Sequence, residues 1–335
     1  MRDLVALPKA HLHLHLTGGM RPATLLELAA EQGRRLPAEL LDPGGVDVDV
    51  TVRRGWYRFQ RLYDAARELL RREADVRRVV GEIVEDEQAA GSGWLELQVD
   101  PSTYAAHLGG LQATVELLLD ALAVASERTG VGTALVIAAN RTRHPGDAET
   151  LARLAARFAG RGVVGFGLSN DETRGAAGEF AKAFRIAGAA GLAALPHAGE
   201  QLGPASVRSA VEVLGARRLG HGVRAVEDPA LLDLLAEREV VLEVCPASNV
   251  ALGVFDEVAA VPVRALRAAG VLVALGADDP LMFRSGLVEQ YADYARLGGS
   301  AAELADLARC SVVGSLAPPD VRARLLAGID AWLAP

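Results

Sequence analysis

Short apolar, β-branched runs alternate along the chain with longer stretches rich in alanine and leucine. Eight runs read as strands: Leu12–Leu16, Trp94–Val99, Thr133–Ala138, Val163–Leu168, Ala193–His197, Arg218–Gly222, Val240–Val244 and Val271–Leu275. Helical patterns lie between them, among them Ala113–Glu127, Ala148–Phe158 and Ala230–Arg238. Regular alternation predicts parallel strands joined by helical crossovers. Eight such units predict one (β/α)8 TIM barrel domain over residues 1–335, with a doubly wound open sheet as the alternative. The stretch from about residue 22 to 92 is too long for one crossover helix. It predicts extra helices over the barrel mouth.

Within that stretch, Arg53–Arg78 holds nine arginines against four acids. Trp56, Phe59, Tyr63, Ala66 and Leu70 fall near helical spacing, which predicts an amphipathic helix with a solvated charged face. A sharper reading gives one of these arginines an anionic part of a substrate.

Composition narrows the class. Half of the 335 residues are hydrophobic and 23% are charged, a balance that fits a large core and excludes disorder, collagen and coiled coil. A formal net charge of −8 repels phosphate backbones and argues against nucleic-acid binding. The N-terminal MRDLVALPKAHLHLHL has no secretory pattern, and no long uncharged apolar run predicts a membrane span. Two cysteines, Cys245 and Cys310, cannot build a disulfide framework and fit a reducing, cytoplasmic setting.

Candidate chemistry gathers at predicted strand ends. His13 and His15 are two apart in a strand, so their side chains share a face, and the C-terminal end of a barrel strand opens on the active-site mouth. Two imidazoles converging there form a metal half-site. His11 shares their parity but lies deeper in the barrel or below it. His197 ends the fifth strand in LPHAGE, with Glu200 in the loop after it. His221 ends the sixth in RLGHG, and Asp278 and Asp279 follow the eighth in GADDP. Polar groups at the same end of four strands point to a zinc-like divalent metal held by nitrogen and oxygen donors.

Taken together, PKAHLHLHLTGGMRPATLLELA, LPHAGE, RLGHG, EVCPASNVALG and ADDPLMF resemble the adenosine deaminase family of the amidohydrolase superfamily, in order from about Leu7 to Tyr291. The resemblance implies a (β/α)8 barrel with one divalent ion per chain, usually Zn2+. It implies His13, His15, His197 and Asp278 as ligands, Glu200 as the proton shuttle, His221 as the residue orienting the attacking water, and Asp279 as the partner of the purine N7. The chemistry agrees. Displacing the 6-amino group needs hydroxide at neutral pH, which a bound divalent ion supplies by lowering the pKa of water. A glutamic acid can protonate N1 as the nucleophile adds. Because N7 is an acceptor, Asp279 must be protonated to donate to it. The fourth strand, VVGFGLSN, lacks the lysine that bridges two metals in other superfamily members, so a single ion is expected. The cysteines, 65 positions apart, do not form the PCxxC ligand pair of the other zinc deaminases.

The sequence departs from the family at the sugar end. Thr17 stands where adenosine-specific members carry an aspartate for the ribose 5′-hydroxyl and adenine-specific relatives tend to carry glutamate. Gly167 replaces an aspartate, and Asn170 replaces a glycine whose backbone N–H meets purine N3. The expected substrate is a small purine nucleoside enlarged at the 5′ position, such as 6-amino-6-deoxyfutalosine of an alternative menaquinone pathway. Its tail carboxylate would meet Arg58 or Arg61 beside Trp56, or Arg174. Adenosine, adenine and methylthioadenosine are the alternatives. Two other classes stay as alternatives: a nucleoside sensor, which loss of Glu200 or a ligand would favour, and a hydrolase of cyclic amides or phosphotriesters, against which the ADDP motif and the missing fourth-strand lysine weigh.

Overall fold

All eight apolar runs form strands in a computed structural model that describes residues 2–52 and 54–334. Arg53, at the start of the arginine-rich segment, lies outside the described residues. The strands are β1 (Lys9–His15), β2 (Ser92–Val99), β3 (Gly132–Asn140), β4 (Val163–Ser169), β5 (Ala193–Ala198), β6 (Arg218–His221), β7 (Val241–Val244) and β8 (Leu272–Leu275). Each pairs in parallel with the next in chain order. The ring closes at a bridge between Leu14 and Asp278. There Asp278 N–H donates to the His13 carbonyl (3.0 Å) and His15 N–H donates to the Asp278 carbonyl (3.1 Å). This closure makes the (β/α)8 TIM barrel and rules out the open sheet.

Alternation of side chains across each strand builds the two sides of the wall. Outward residues such as Leu95, Ile137 and Leu168 are buried with Val79, Val80 and Val115 of the surrounding helices. Leu12, Leu219 and Val273 are buried with Leu231 and Leu307 on the other side. Full burial of each such side chain contributes roughly 1.5–3 kcal/mol.

β1 breaks this alternation. Its register against β2 shifts between His11 and Leu14, so His11 does not follow His13 and His15 into the barrel. Instead it fills the seam between β1 and β8. Its Nε2 accepts from Ala277 N–H (3.0 Å), which leaves the proton on Nδ1 to bond Glu87 (2.7 Å).

Between β1 and β2 run α1 (Pro22–Glu31), α2 (Gly55–Arg67) and α3 (Glu73–Ala89). Proline at the first turn starts α1 without losing a hydrogen bond. α3 is the crossover proper, and α2 is the expected extra helix over the mouth. On α2 the residues Trp56, Gln60, Tyr63 and Arg67 recur at helical spacing and line one cavity wall. Phe59, Leu62 and Ala66 are buried beside them. Among the described residues no helix is long and apolar enough to cross a membrane.

Candidate active site

β1, β5, β6 and the segment after β8 bring their polar residues to one point at the C-terminal end of the barrel. His13, His197, His221 and Asp278 are buried, and each offers a ligand atom within 4.8 Å of the others. His15 joins them: its Nε2 lies 3.3 Å from His197 Nε2 and 3.2 Å from an Asp278 oxygen. Three features fit this cluster to a divalent ion. The donors are imidazole nitrogens and a carboxylate, the set zinc-like ions take. His13 Nε2 is buried, points at Asp278 (3.4 Å) and has no hydrogen-bond partner. Its other nitrogen, Nδ1, is held by Glu243 (2.8 Å), the carboxylate–histidine arrangement that orients metal-binding imidazoles. β4 carries no lysine. Lys9 donates instead to the carbonyls of Leu4 and Ala90, and Lys182 pairs with Glu149.

Close approach at this point demands small neighbours and unusual backbone. A Cβ on Gly220 would lie 2.7 Å from the His13 ring, and one on Gly18 would sit inside the Asp279 carboxylate. Asn170, His221 and Asp278 adopt left-handed backbone with φ of 81°, 64° and 61°. Such conformations cost about 1–3 kcal/mol each and persist where the surroundings over-determine them. At Asn170 the cost is reduced, because asparagine enters the left-handed region more readily than most residues.

Electrostatics divides the carboxyl groups. Burial opposes ionisation of Asp278, yet the His13 and His15 imidazoles beside it hold it well below the usual carboxylate range. Burial, with the Asp278 charge beside it, pushes Asp279 well above that range. Burial also raises Glu200, helped by Asp278 and Glu172. Burial lowers His221 to about 3, so its imidazole is neutral. His221 Nε2 lies 3.6 Å from Glu200 and 4.0 Å from Asp278, while its Nδ1 faces the Asn249 amide at 3.4 Å. Ser248 donates to the second Asp278 oxygen (2.6 Å).

The cluster forms the floor of a cavity of about 100 Å³. His15, Trp56, Asn170, Glu200 and Asp279 line it. Asn170 also latches α2 down, accepting from Trp56 Nε1 (2.9 Å) and donating to Gln60 (2.9 Å). Thr17 does not line the cavity: it is fully buried, with its hydroxyl 2.7 Å from that of Tyr104, which takes the lining position. The expected room for a 5′ extension at Thr17 is therefore filled by Tyr104.

The three candidate arginines also fall elsewhere. Arg58 and Arg61 lie on the side of α2 opposite Trp56, Gln60 and Tyr63 and are exposed, as a repeat of 3.6 residues per turn requires. Arg58 lies 3.7 Å from Glu39. Arg174 is exposed and reaches the Tyr57 hydroxyl. The arginine in the cavity wall is Arg67, paired with Asp64 at 2.6 Å.

Sequence reading missed the supporting polar groups. Arg218 is fully buried and bridges Glu243 to Glu96 under the histidines. Acids inside the apolar runs WLELQV and VLEVC were the available signal, because a buried charge needs a partner. Glu172 and Tyr104 gave no comparable signal.

The sequence model of the adenosine deaminase family matches residues 8–332. A Streptomyces virginiae protein provisionally named adenosine/adenine deaminase is 59% identical, covering 99% of this chain and 98% of its own. An adenine deaminase of Rhizobium leguminosarum is 35% identical, covering 96% of this chain and 98% of its own. The crystal structure of an adenine deaminase from Arthrobacter aurescens superposes with a TM-score of 0.88 at 30% identity, covering 97% of this chain and 99% of that one. The barrel, the order of motifs around its mouth and these full-length likenesses agree, and the chain belongs to the adenosine deaminase family.

Proposed function

We propose that the protein removes the 6-amino group of an adenine ring by hydrolysis, releasing ammonia, with free adenine as the first substrate and one zinc-like divalent ion as cofactor. The observation that carries this reading is a pair of buried carboxyl groups, Glu200 and Asp279, that line one cavity beside the histidine–aspartate cluster. Adenine presents acceptors on both sides of C6. Addition at C6 makes N1 basic, and a protonated Glu200 can donate to it. A protonated Asp279 can donate to N7.

His13, His15, His197 and Asp278 would hold the ion. When bound, a divalent ion lowers the pKa of water to about 7 and so supplies a nucleophile at neutral pH. His221, whose imidazole is neutral, would orient the attacking water towards C6. Glu200 gives its proton to N1 and in turn takes up both protons of the water, passing one to the departing amino group and keeping the other, so that it ends protonated as it began. One water enters for each ammonia that leaves.

Cavity size supports the free base. About 100 Å³ is small beside the roughly 300–1,000 Å³ of sites for drug-sized ligands. The adenine deaminases among the relatives support it too. Adenosine stands second, because the Streptomyces relative carries both substrates in its name. The 5′-extended nucleoside is not retained: Thr17 is tied to Tyr104, and Arg58, Arg61 and Arg174 are exposed outside the cavity wall. Ammonia release by metal-replete protein should be fastest with adenine, then adenosine, with aminodeoxyfutalosine slowest. No ammonia from any 6-aminopurine would overturn the reading.

A further inference from the structure

β2 and the residue just after it contribute two polar side chains to the cavity that the reaction as described does not use. Gln98 and Asp100 are two apart and both line the wall. Gln98 is 1% exposed, and its Oε1 has no hydrogen-bond partner. Asp100 divides its two oxygens. Oδ1 accepts from the Ser102 N–H (2.9 Å) and hydroxyl (2.6 Å), capping the turn that follows β2. Oδ2 is buried and bonds nothing. A buried oxygen left unpaired costs about 1–3 kcal/mol, more if charged, unless a ligand satisfies it.

The order of strands around the barrel says which part of the base these groups meet. This placement rests on the proposed adenine chemistry. C6 faces the histidine–aspartate cluster, N1 faces Glu200 after β5, and N7 faces Asp279 after β8. Going round the ring from N7 to N1 along the far edge, the atoms are C8, N9, C4, N3 and C2. Going round the barrel from β8 to β5 by the same side, the strands are β1, β2, β3 and β4. The N9 corner therefore falls against β2, where Gln98 and Asp100 offer unpaired oxygens. In free adenine N9 carries a hydrogen. In a nucleoside it carries the sugar and has nothing to donate.

We propose that Asp100, through its unpaired inner oxygen and with Gln98 beside it, accepts the N9–H of the free base and thereby selects the base against its nucleosides. Two acceptors facing N9 are of use only to a substrate with a hydrogen there. A site built around a substrate N–H discriminates strongly against an analogue that lacks it, because its own buried acceptor is then stranded.

Adenine and 9-methyladenine, assayed for ammonia release and for competitive binding, test this. In the wild type kcat/KM for adenine should exceed that for 9-methyladenine by at least about a hundredfold. Asp100→Asn and Asp100→Ser both keep an oxygen for the cap at Ser102 and withdraw the inner acceptor. Each should lower the adenine value at least about tenfold and leave 9-methyladenine within about threefold. A simple fold defect would lower both substrates together and leave their ratio alone. Similar values for the two compounds in the wild type, or an unmoved ratio in both variants, would overturn the assignment of Asp100. No turnover of either compound would instead overturn the proposed adenine chemistry, so the two failures are distinct.

Discussion

Glu172 holds Glu200 in place through the backbone. Its carboxylate accepts N–H groups from Gly199 (2.6 Å), Glu200 (3.0 Å), Gln201 (2.7 Å) and Leu202 (3.0 Å), together with the Ser206 hydroxyl (2.6 Å). The loop after β5 wraps its donors around one buried anion and so fixes where the Glu200 side chain starts. Hydrogen bonds to a charged group contribute about 1.5–3 kcal/mol each. Glu172→Gln turns one acceptor into a donor facing donors. It should lower kcat by about ten- to a hundredfold while KM moves less. Metal content should stay at the wild-type level, because Glu172 touches no candidate ligand. A variant with unchanged kcat would show that the loop is held without this anion.

Metal binding should depend on a residue outside the cluster. Glu243 fixes the His13 ring from behind, and Arg218 fixes Glu243 in turn. His13→Ala should abolish tight binding of the single ion. Glu243→Gln, which keeps the shape and removes the charge, should weaken it by about ten- to a hundredfold. Zinc titration against a chromogenic chelator reads both. Two tightly held ions per active chain would sink the one-ion assignment.

Glu200 is expected to act on protons and not on the metal. Glu200→Gln should retain the ion and lose about two to four orders of magnitude in kcat. Elemental analysis beside turnover separates the roles. A metal-replete variant within a few-fold of the wild type would reject proton transfer by this residue.

Asp279 is expected to donate, which gives its substitution a sign. Burial and the neighbouring Asp278 charge push its carboxyl well above the usual range, towards the protonated form. An amide also donates, so Asp279→Asn should keep KM within a few-fold, whereas Asp279→Ala should raise it by about tenfold, the measure of one lost neutral hydrogen bond. As pH rises through its elevated pKa, the wild-type carboxyl loses the proton and the donor, so substrate affinity should fall on the alkaline side. In Asp279→Asn that decline should disappear. Persistence of the alkaline decline in the variant would place its origin in another group.

The chain's own pattern determined the barrel and the identity of its polar ends. Strand-length apolar runs separated by helix-length periodic stretches leave little choice of topology, because parallel neighbours need crossovers. His13, His15, His197, Glu200, His221, Asp278 and Asp279 were legible because each sits at or just beyond a strand end, and a barrel brings all such ends to one face. The route of β1 was not legible: a register break turns His11 to the seam, and strict alternation cannot foresee it. Glu172 and Tyr104 reach the site from segments distant in sequence, Glu172 to the backbone around Glu200 and Tyr104 to Thr17. The substrate end was decided by the same kind of contact. Which face of α2 meets the cavity depends on how the helix docks over the mouth, and docking turns Trp56, Gln60, Tyr63 and Arg67 towards the cavity while Arg58 and Arg61 go to solvent. Local sequence carries the period of an element, but the direction it faces is set by the elements packed against it.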